Sequence, residues 1–153
     1  MTAASPPTIH ASAALVDGIG VLVRGASGSG KSSLVLALIM ADPARNRLIA
    51  DDRVILTGIG GEIEAAPPEQ LAGLIEMRGY GLVRLPYVAP QKIGFVVDLR
   101  PGDEIARMPA ESERTARFGD VALPRLALPI GQGDGWIRVR AALMAGFTMV
   151  NET

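Results

Sequence analysis

The residues whose types and spacing most clearly predict chemistry are the eight from Gly25 to Ser32. They read GASGSGKS and match in full the GxxxxGK[ST] pattern of a phosphate-binding loop. Glycines let such a loop turn tightly, so that successive N–H groups point at a polyphosphate, while the lysine reaches the β- and γ-phosphates and the serine ligates Mg²⁺. The candidate nucleotide-binding residues are Gly25, Ala26, Ser27, Gly28, Ser29, Gly30, Lys31 and Ser32.

The segments on either side of this loop have the composition of the strand and helix that would position it. Ile19–Arg24 is a short apolar run suited to a buried strand. Lys31–Ala41 is rich in Leu, Ala, Ile and Met and predicts a helix that ends before Pro43. The N-terminus of that helix would present unpaired N–H groups and its positive dipole end to the same anion. A flexible Gly/Ser linker, the alternative, does not account for this flanking pattern.

A phosphate loop does not by itself distinguish a kinase, an ATPase, a GTPase and a silent nucleotide sensor, so an acidic group has to be found. Asp51 and Asp52 follow the apolar run LIA, and Asp98 follows GFVV. A single aspartate at the end of a strand, as in FVVD, is typical of an Mg²⁺ ligand. Two adjacent carboxylates suit a proton acceptor beside a metal. A solvated turn is the alternative in each case, and the residues alone leave both sites open.

Length and composition limit the classes of protein to which the chain can belong. Its 153 residues, 48% of them hydrophobic, predict one domain over residues 9–153 after a flexible tail over residues 1–8. The absence of cysteine excludes disulfides, thiolate metal sites and cysteine nucleophiles. A formal net charge of −1 disfavours broad electrostatic binding to nucleic acid or an anionic membrane. Without a secretory signal or a long apolar stretch, a cytoplasmic protein is expected.

The remaining segments predict a mixed sheet rather than a regular alternation of strands and helices. Asp17-Gly18 predicts a hairpin turn between the first two strands. The predicted strands are 9–16, 19–24, 47–50, 53–57, 82–88 and 92–99, with 121–130 an edge strand or extended loop because it contains two prolines. The segment 69–77 after Pro67-Pro68 predicts a short helix, 101–119 a loop or mobile segment, and 136–147 a second helix.

Four stretches are specific enough to compare with a known family. They are IHASAALVDGIGVLVRGASGSGKSS, LIADDRV, AAPPEQLAGLIEMRGYGLVRL, and LPRLALPI followed by VRAALMAGF. Together they resemble the catalytic domain of the HPr kinase/phosphorylase family over nearly the whole chain. The resemblance implies an α/β fold, a P-loop-containing mixed sheet flanked by helices and similar to phosphoenolpyruvate carboxykinase. It also implies a bacterial protein kinase that uses ATP and Mg²⁺ to phosphorylate a serine of HPr, the phosphocarrier of the sugar phosphotransferase system.

The resemblance assigns roles to individual residues. Asp52 matches the general base that takes the proton of the substrate serine, and His10 matches a catalytic histidine. Lys31 matches the lysine that binds the phosphates of ATP. Ser32 and Glu76 match the ligands of Mg²⁺.

The family's catalytic arginine has three candidates in this chain. Arg107, in IARM, is the best match to the family's RLG-type segment. The alignment crosses a variable region there and leaves Arg114 and Arg117 open. The role of Asp51 is also open, since it would either bind metal or only support Asp52.

The chain departs from the family pattern at its ends and in one loop, and its truncated ends resemble the short form found in alphaproteobacteria. We expect no counterpart of the family's N-terminal domain and a C-terminal helix that is shortened or absent. The resemblance implies a homo-oligomer, but the change in the C-terminal helix leaves the family's hexamer in doubt. Residues 129–135 (PIGQGDG) replace a basic loop. An acidic, glycine-rich loop cannot bind phosphate as an arginine fork does, so we expect kinase activity without most of the phosphorylase activity. HPr is the expected partner, and a sensor-kinase regulatory system is a second candidate.

Two other functions stay open at this point. The first is a generic P-loop kinase for small molecules, which would need a lid with arginines over the phosphates, and residues 100–117 could be misread as such a lid. The second is a nucleotide-sensing module without catalysis. The joint presence of His10, Asp52, Glu76 and Lys31 disfavours the sensor, because nucleotide binding requires neither a base nor a histidine.

Overall fold

The computed structural model describes residues 7–147. Of the expected flexible tail, only Pro7 and Thr8 are described, and they have no regular secondary structure. The rest of that tail and the last six residues of the predicted domain lie outside the described residues. Among residues 7–147, no helix is long and apolar enough to cross a membrane.

The described residues form ten strands, two helices and three single turns of 3₁₀-helix. The strands are β1 (Ile9–Val16), β2 (Ile19–Arg24), β3 (Arg47–Ala50), β4 (Arg53–Ile59), β5 (Glu62–Ala66), β6 (Leu74–Met77), β7 (Gly81–Arg84), β8 (Gln91–Arg100), β9 (Thr115–Phe118) and β10 (Val121–Pro129). The helices are α1 (Lys31–Ala41) and α2 (Gly135–Met144), and the 3₁₀ turns are Glu69–Leu71, Gly102–Glu104 and Glu111–Arg114.

Eight of these strands form one mixed sheet, which agrees with the sequence-based expectation. The strand order is β2-β1-β4-β5-β8-β10-β9, with β3 paired to β1. Because β2 also pairs with β8, the strands β2, β1, β4, β5 and β8 close into a ring. Each of those five strands contributes a buried side chain to one apolar cluster, for example Ala13, Leu22 and Ile93.

The strands that position the phosphate loop are parallel. Both β2 and β10 pair in parallel with β8, and Arg24 and Ala127 lie opposite Asp98 in the two registers. The carboxyl ends of these three strands therefore meet at the same edge of the sheet. Ligands of open α/β sheets bind at such an edge. The phosphate loop leaves β2 there.

Helices α1 and α2 cover one face of this sheet and share its larger core. Val35 and Leu38 of α1 and Val139 of α2 are fully buried in one cluster with Val23 and Val97 of the parallel strands. Burying side chains of this size stabilises the packing by about 1.5–3 kcal/mol each. The start of α1 is therefore held firmly against the strands that carry the phosphate loop.

The structure corrects the prediction for the segment after Pro67-Pro68. The helix expected over residues 69–77 is wrong beyond its first turn, because the 3₁₀ turn ends at Leu71 and β6 follows. Gly73 has a φ of +78°, a left-handed conformation that ends a helix. In β6, Ile75 is fully buried and Glu76 is exposed, which is the alternation of a strand.

The predictions for the C-terminal third also need correction. Residues 101–119, expected to be a loop, contain two 3₁₀ turns and β9. Strand β10 is a true strand whose first half pairs with β9 and whose second half pairs with β8. Each half is thus paired on one side only, a position in which proline is tolerated. Helix α2 ends at Met144, three residues before the predicted end.

Candidate functional site

The phosphate loop joins the end of β2 to the start of α1. Its backbone turns at Gly28 and Gly30, whose φ angles of +80° and +102° favour glycine. The buried Lys31 donates from Nζ to the carbonyl oxygens of Gly25, at 2.8 Å, and Ala26, at 3.1 Å. An ammonium group has three N–H donors, so one is left for a phosphate oxygen.

Close packing fixes the first turn of the loop. A Cβ atom on Gly25 would lie 2.5 Å from Ser29 Oγ and 3.1 Å from Leu99 Cβ, so only glycine fits there. Ser29 is buried, and its hydroxyl has no hydrogen-bond partner among the described residues. Ala26 and Ser27 are exposed at the tip of the loop.

Asp51 is the acidic group that faces the loop most directly. Its carboxylate accepts a hydrogen bond from Ser32 Oγ, at 2.7 Å to Oδ1 and 2.9 Å to Oδ2. Ser12 Oγ donates to Oδ1 at 2.6 Å, and the Glu76 N–H donates to Oδ2 at 3.1 Å. Three donors from three elements therefore hold a carboxylate that is only 5% exposed.

Asp52 lies beside Asp51 but faces solvent. The side chain of Asp52 is 65% exposed and that of His10 is 50% exposed, with 3.5 Å between Asp52 Oδ1 and His10 Nδ1. Asp52 adopts a φ of +67°, and its turn is closed by a 2.8 Å hydrogen bond from the Arg53 N–H to the Asp51 carbonyl. One carboxylate of the pair is thus engaged with the phosphate loop, and the other can be reached by a second molecule.

The residues present fit the chemistry of Mg²⁺. This ion binds oxygen ligands, usually one or two carboxylates together with substrate phosphates and water. Ser32 Oγ and the Asp51 carboxylate supply such oxygens within hydrogen-bond distance of each other. The side chain of Glu76 is exposed, and its contact with Asp51 is through the backbone N–H.

Asp98, the other candidate acid, is held by two arginines. Arg24 donates to its two oxygens at 2.7 and 2.9 Å, and Arg125 donates to Oδ2 through Nε. Burial raises the pKa of Asp98, but the hydrogen bonds and charges of Arg24 and Arg125 outweigh it and hold the pKa below its ordinary value of 3.8. Because both oxygens are engaged by guanidinium groups, the structure favours Asp51 over Asp98 as the aspartate beside a metal.

Replacing Asp98 by asparagine is expected to lower the free energy of unfolding at pH 7 by about 1.5–3 kcal/mol, the value of a hydrogen bond to a charged group, because two guanidinium groups would then face a neutral amide. The pKa of Asp98 is lowered in the folded chain, so its contribution is complete above the unfolded value of 3.8 and is lost as the pH falls through the folded value. Urea unfolding of both proteins at pH 7 and in acid measures this. Equal stability at pH 7 would contradict the ion-pair role.

Comparison with known proteins places this arrangement in a family. The family model described as the HPr serine kinase C-terminal domain matches residues 2–149 of the sequence. The chain belongs to this family. The HPr kinase/phosphorylases of Caldanaerobacter subterraneus subsp. tengcongensis and Geobacillus thermodenitrificans are each 34% identical to it, over 137 and 140 residues. These matches cover 82% and 83% of this chain but 44% of each relative, so the chain spans less than half the length of those relatives.

A solved structure shows that the fold is shared. The Hpr(Ser) kinase/phosphatase from Coxiella burnetii matches with a TM-score of 0.71 and 24% sequence identity, over 92% of this chain and 99% of that chain. The expected mixed α/β architecture with few helices is therefore confirmed.

The residues that the family resemblance singles out do not all lie at one place. Four of them lie in the phosphate loop or close to Asp51: Lys31 and Ser32 in the loop, and Asp52 and His10 beside Asp51. Arg107 instead lines a larger cavity of about 1240 Å³, between β10, the end of α2 and residues 100–115.

The larger cavity adjoins a smaller one beside the phosphate loop. The smaller cavity, of about 300 Å³, is lined by Gly28, Ser29 and Gly30. The two cavities share Pro129, Gln132 and Arg138. Arg114 lines only the larger cavity, and the exposed Arg117 on β9 lines neither. The structure therefore does not bring a candidate catalytic arginine into contact with the loop.

Sequence reasoning missed two residues of the site, Arg138 and Ser12. Arg138 lines the smaller cavity together with Arg78, which lies in the EMRGYG stretch of the family resemblance. Ser12 contacts both aspartates, and the available signal was its position two residues after His10 on one strand, which places both side chains on the same face.

Proposed function

We propose that the chain is the catalytic domain of an ATP- and Mg²⁺-dependent protein kinase that phosphorylates a serine of the phosphocarrier protein HPr. The observation that carries the proposal is the placement of the two aspartates. Asp51 is bonded to Ser32 of the phosphate loop, while Asp52 is exposed beside it. A nucleotide sensor needs a carboxylate that is hydrogen-bonded to the loop, but it does not need an exposed carboxylate beside it. The names of the relatives, HPr kinase/phosphorylase, support HPr as the acceptor.

The loop and its neighbours would hold the nucleotide. The N–H groups of Gly28 to Lys31 and the free donor of Lys31 would bind the β- and γ-phosphates. Ser32, Asp51 and Glu76 would hold Mg²⁺, which would neutralise charge on the phosphate oxygens when bound there. Lys31, Ser32 and the Asp51 carboxylate are already held by the contacts described above, so little reorganisation of these three groups is needed.

Asp52 would accept the proton of the attacking hydroxyl. The serine oxygen of HPr forms a bond to the γ-phosphorus, and the bond between that phosphorus and the β–γ bridging oxygen breaks, which releases ADP. The serine proton passes to the Asp52 carboxylate, beside which His10 lies at 3.5 Å. In the reverse direction, protonated Asp52 would return the proton to the serine oxygen.

Arg107 is the arginine that we propose to offset charge on the transferring group. Arg114 already donates to the Pro109 carbonyl oxygen at 3.3 Å. Arg107 is exposed and makes no hydrogen bond or ion pair within residues 7–147. It is thus free to turn towards the carboxyl edge of the sheet, where the two cavities adjoin.

Removal of phosphate from HPr by orthophosphate is expected to be slower than the kinase reaction. Residues 130–133 line the cavity beside the phosphate loop and contribute no positive charge. Two arginines, Arg78 and Arg138, line the same cavity. Arg138 donates to Gln132 at 3.2 Å and lies 3.8 Å from Asp134, so its charge is partly offset. Incubation of serine-phosphorylated HPr with orthophosphate, without ATP, measures the reaction. A rate equal to that of the kinase would contradict the expectation.

One assay tests the proposed function against its alternatives. Incubation of the protein with γ-labelled ATP, Mg²⁺, HPr and a cell metabolite extract should place the label on HPr. Label on a metabolite would indicate a small-molecule kinase, and no transfer would leave a nucleotide sensor.

The proposal also covers domain, assembly and partners. Residues 9–153 would be one domain that assembles as a homo-oligomer in the cytoplasm. HPr and a sensor-kinase system would be its partners in the control of carbohydrate metabolism.

A further inference from the structure

Ser12 contacts both members of the aspartate pair through one hydroxyl group. Its side chain is fully buried in β1. Ser12 Oγ donates to Asp51 Oδ1 at 2.6 Å and accepts a 3.2 Å hydrogen bond from the Asp52 N–H. The hydroxyl therefore uses its donor and one acceptor position on two consecutive residues.

The two contacts fix different properties of the pair. On Asp51, Ser12 binds Oδ1 while the Glu76 N–H binds Oδ2, so the plane of the carboxylate that faces Ser32 is set from both sides. On Asp52, Ser12 satisfies the N–H of a residue with a φ of +67°. That conformation is less favourable than a negative φ for a residue other than glycine, and it persists where its surroundings hold it.

The same strand also supplies the histidine. His10 and Ser12 are two residues apart, so their side chains leave β1 on the same face. His10 lies beside the Asp52 carboxylate, and Ser12 lies beside its backbone. A single strand thus sets both the position of the turn and the surroundings of the exposed carboxylate.

We propose that Ser12 is a positioning residue of the phosphoryl-transfer site. It directs the Asp51 carboxylate towards Ser32 and holds the Asp52 turn in the conformation that presents the base. The proposal rests on the proposed function only for its kinetic readout, because the contacts themselves can be tested in the free chain and in nucleotide binding.

Ser12→Ala is expected to separate metal-dependent steps from simple nucleotide binding. Phosphoryl transfer should fall by about tenfold, the effect of one lost hydrogen bond to a charged group, and Mn²⁺·ATP should bind more weakly by a similar factor. Binding of ATP without metal should stay within about twofold, because the loop N–H groups and Lys31 are unchanged. In the free chain, hydrogen exchange at the Asp52 N–H should become faster.

Asn46 provides a matched control at the opposite end of β1. It is 1% exposed, donates to the Leu38 carbonyl at 2.8 Å and accepts a 3.0 Å bond from the N–H of Asp17. Asp17, like Asp52, has a positive φ, of +50°. Asn46→Ala therefore removes an equivalent pair of contacts. It should speed exchange at Asp17 and lower stability, without changing transfer or Mn²⁺·ATP affinity.

The experiment compares four proteins: the wild type, Ser12→Ala, Asn46→Ala and Ser12→Thr, which keeps the hydroxyl. In each protein it measures hydrogen exchange at the Asp17 and Asp52 amides, Mn²⁺·ATP affinity and transfer to HPr. The proposal is supported if Ser12→Ala lowers Mn²⁺·ATP affinity and transfer to HPr, if Ser12→Thr restores both, and if Asn46→Ala changes neither. Unchanged Asp52 exchange and Mn²⁺·ATP affinity in Ser12→Ala, or equal losses in Asn46→Ala, overturn it. Should the wild type not phosphorylate HPr, the proposed function fails, and exchange and Mn²⁺·ATP affinity still decide the role of Ser12.

Discussion

Asp52→Asn is expected to reduce phosphoryl transfer to HPr by about 10²–10⁴-fold, the usual contribution of a general base. Asparagine keeps the shape of the side chain and tolerates the positive φ of this position, but its amide cannot take a proton. Binding of ATP should stay within about twofold of the wild-type value, because Asp52 is exposed and makes no contact with the phosphate loop. Single-turnover transfer rates and calorimetric ATP binding measure the two quantities.

The control for this substitution is Asp120→Asn. Asp120 is exposed in the turn between β9 and β10, which comes before the start of β10, whereas the phosphate loop lies at the carboxyl end of the parallel strands. Its substitution removes the same charge and should leave transfer unchanged. Transfer by Asp52→Asn at the wild-type rate would show that another group accepts the proton.

Lys31→Ala is expected to weaken ATP binding by about 10–150-fold, which corresponds to 1.5–3 kcal/mol for a lost hydrogen bond to a charged group. Transfer should fall further than binding, since the same ammonium group opposes the charge that develops on the γ-phosphate. The loss of the contacts with Gly25 and Ala26 also leaves the loop without its internal anchor. ATP titration and saturating-ATP transfer rates separate the two effects.

The chain contains its own control for the lysine substitution. Lys92 is the second of its two lysines, is exposed and pairs with Glu62 at 2.9 Å. It lies at the amino end of β8, whereas the phosphate loop lies at the carboxyl end of the parallel strands. Exposed pairs of this kind contribute little to stability. Lys92→Ala should therefore bind ATP normally. Normal binding by Lys31→Ala as well would exclude the loop as the nucleotide site.

The phosphate loop could be predicted because all of its determinants are local. The glycines, Lys31 and Ser32 are consecutive, and the apolar strand and helix on either side follow from composition. The Asp51-Asp52 turn was also predictable as a break between two extended segments. In these regions each local preference agrees with the tertiary structure, which is the condition for reliable inference.

The parts that sequence reasoning missed depend on long-range partners. Asp98 looked like a metal ligand because a strand end carries no information about Arg24 and Arg125, which lie 74 and 27 residues away. Residues 74–77 had helix-forming composition. They form β6 instead because Ile75 is buried in the core and because β6 pairs with β7 in a hairpin in which Met77 lies opposite Gly81. Tertiary packing overrides helix propensity in such short segments.

The measurement that tests the central claim most directly is mass-spectrometric mapping of HPr after incubation with Mg²⁺·ATP and this protein. The wild-type chain should add one phosphate to a serine of HPr. Asp52→Asn, at an ATP concentration that saturates both proteins, should add almost none in the same time. Unmodified HPr with the wild-type chain, or equal phosphorylation by the two proteins, would contradict the account.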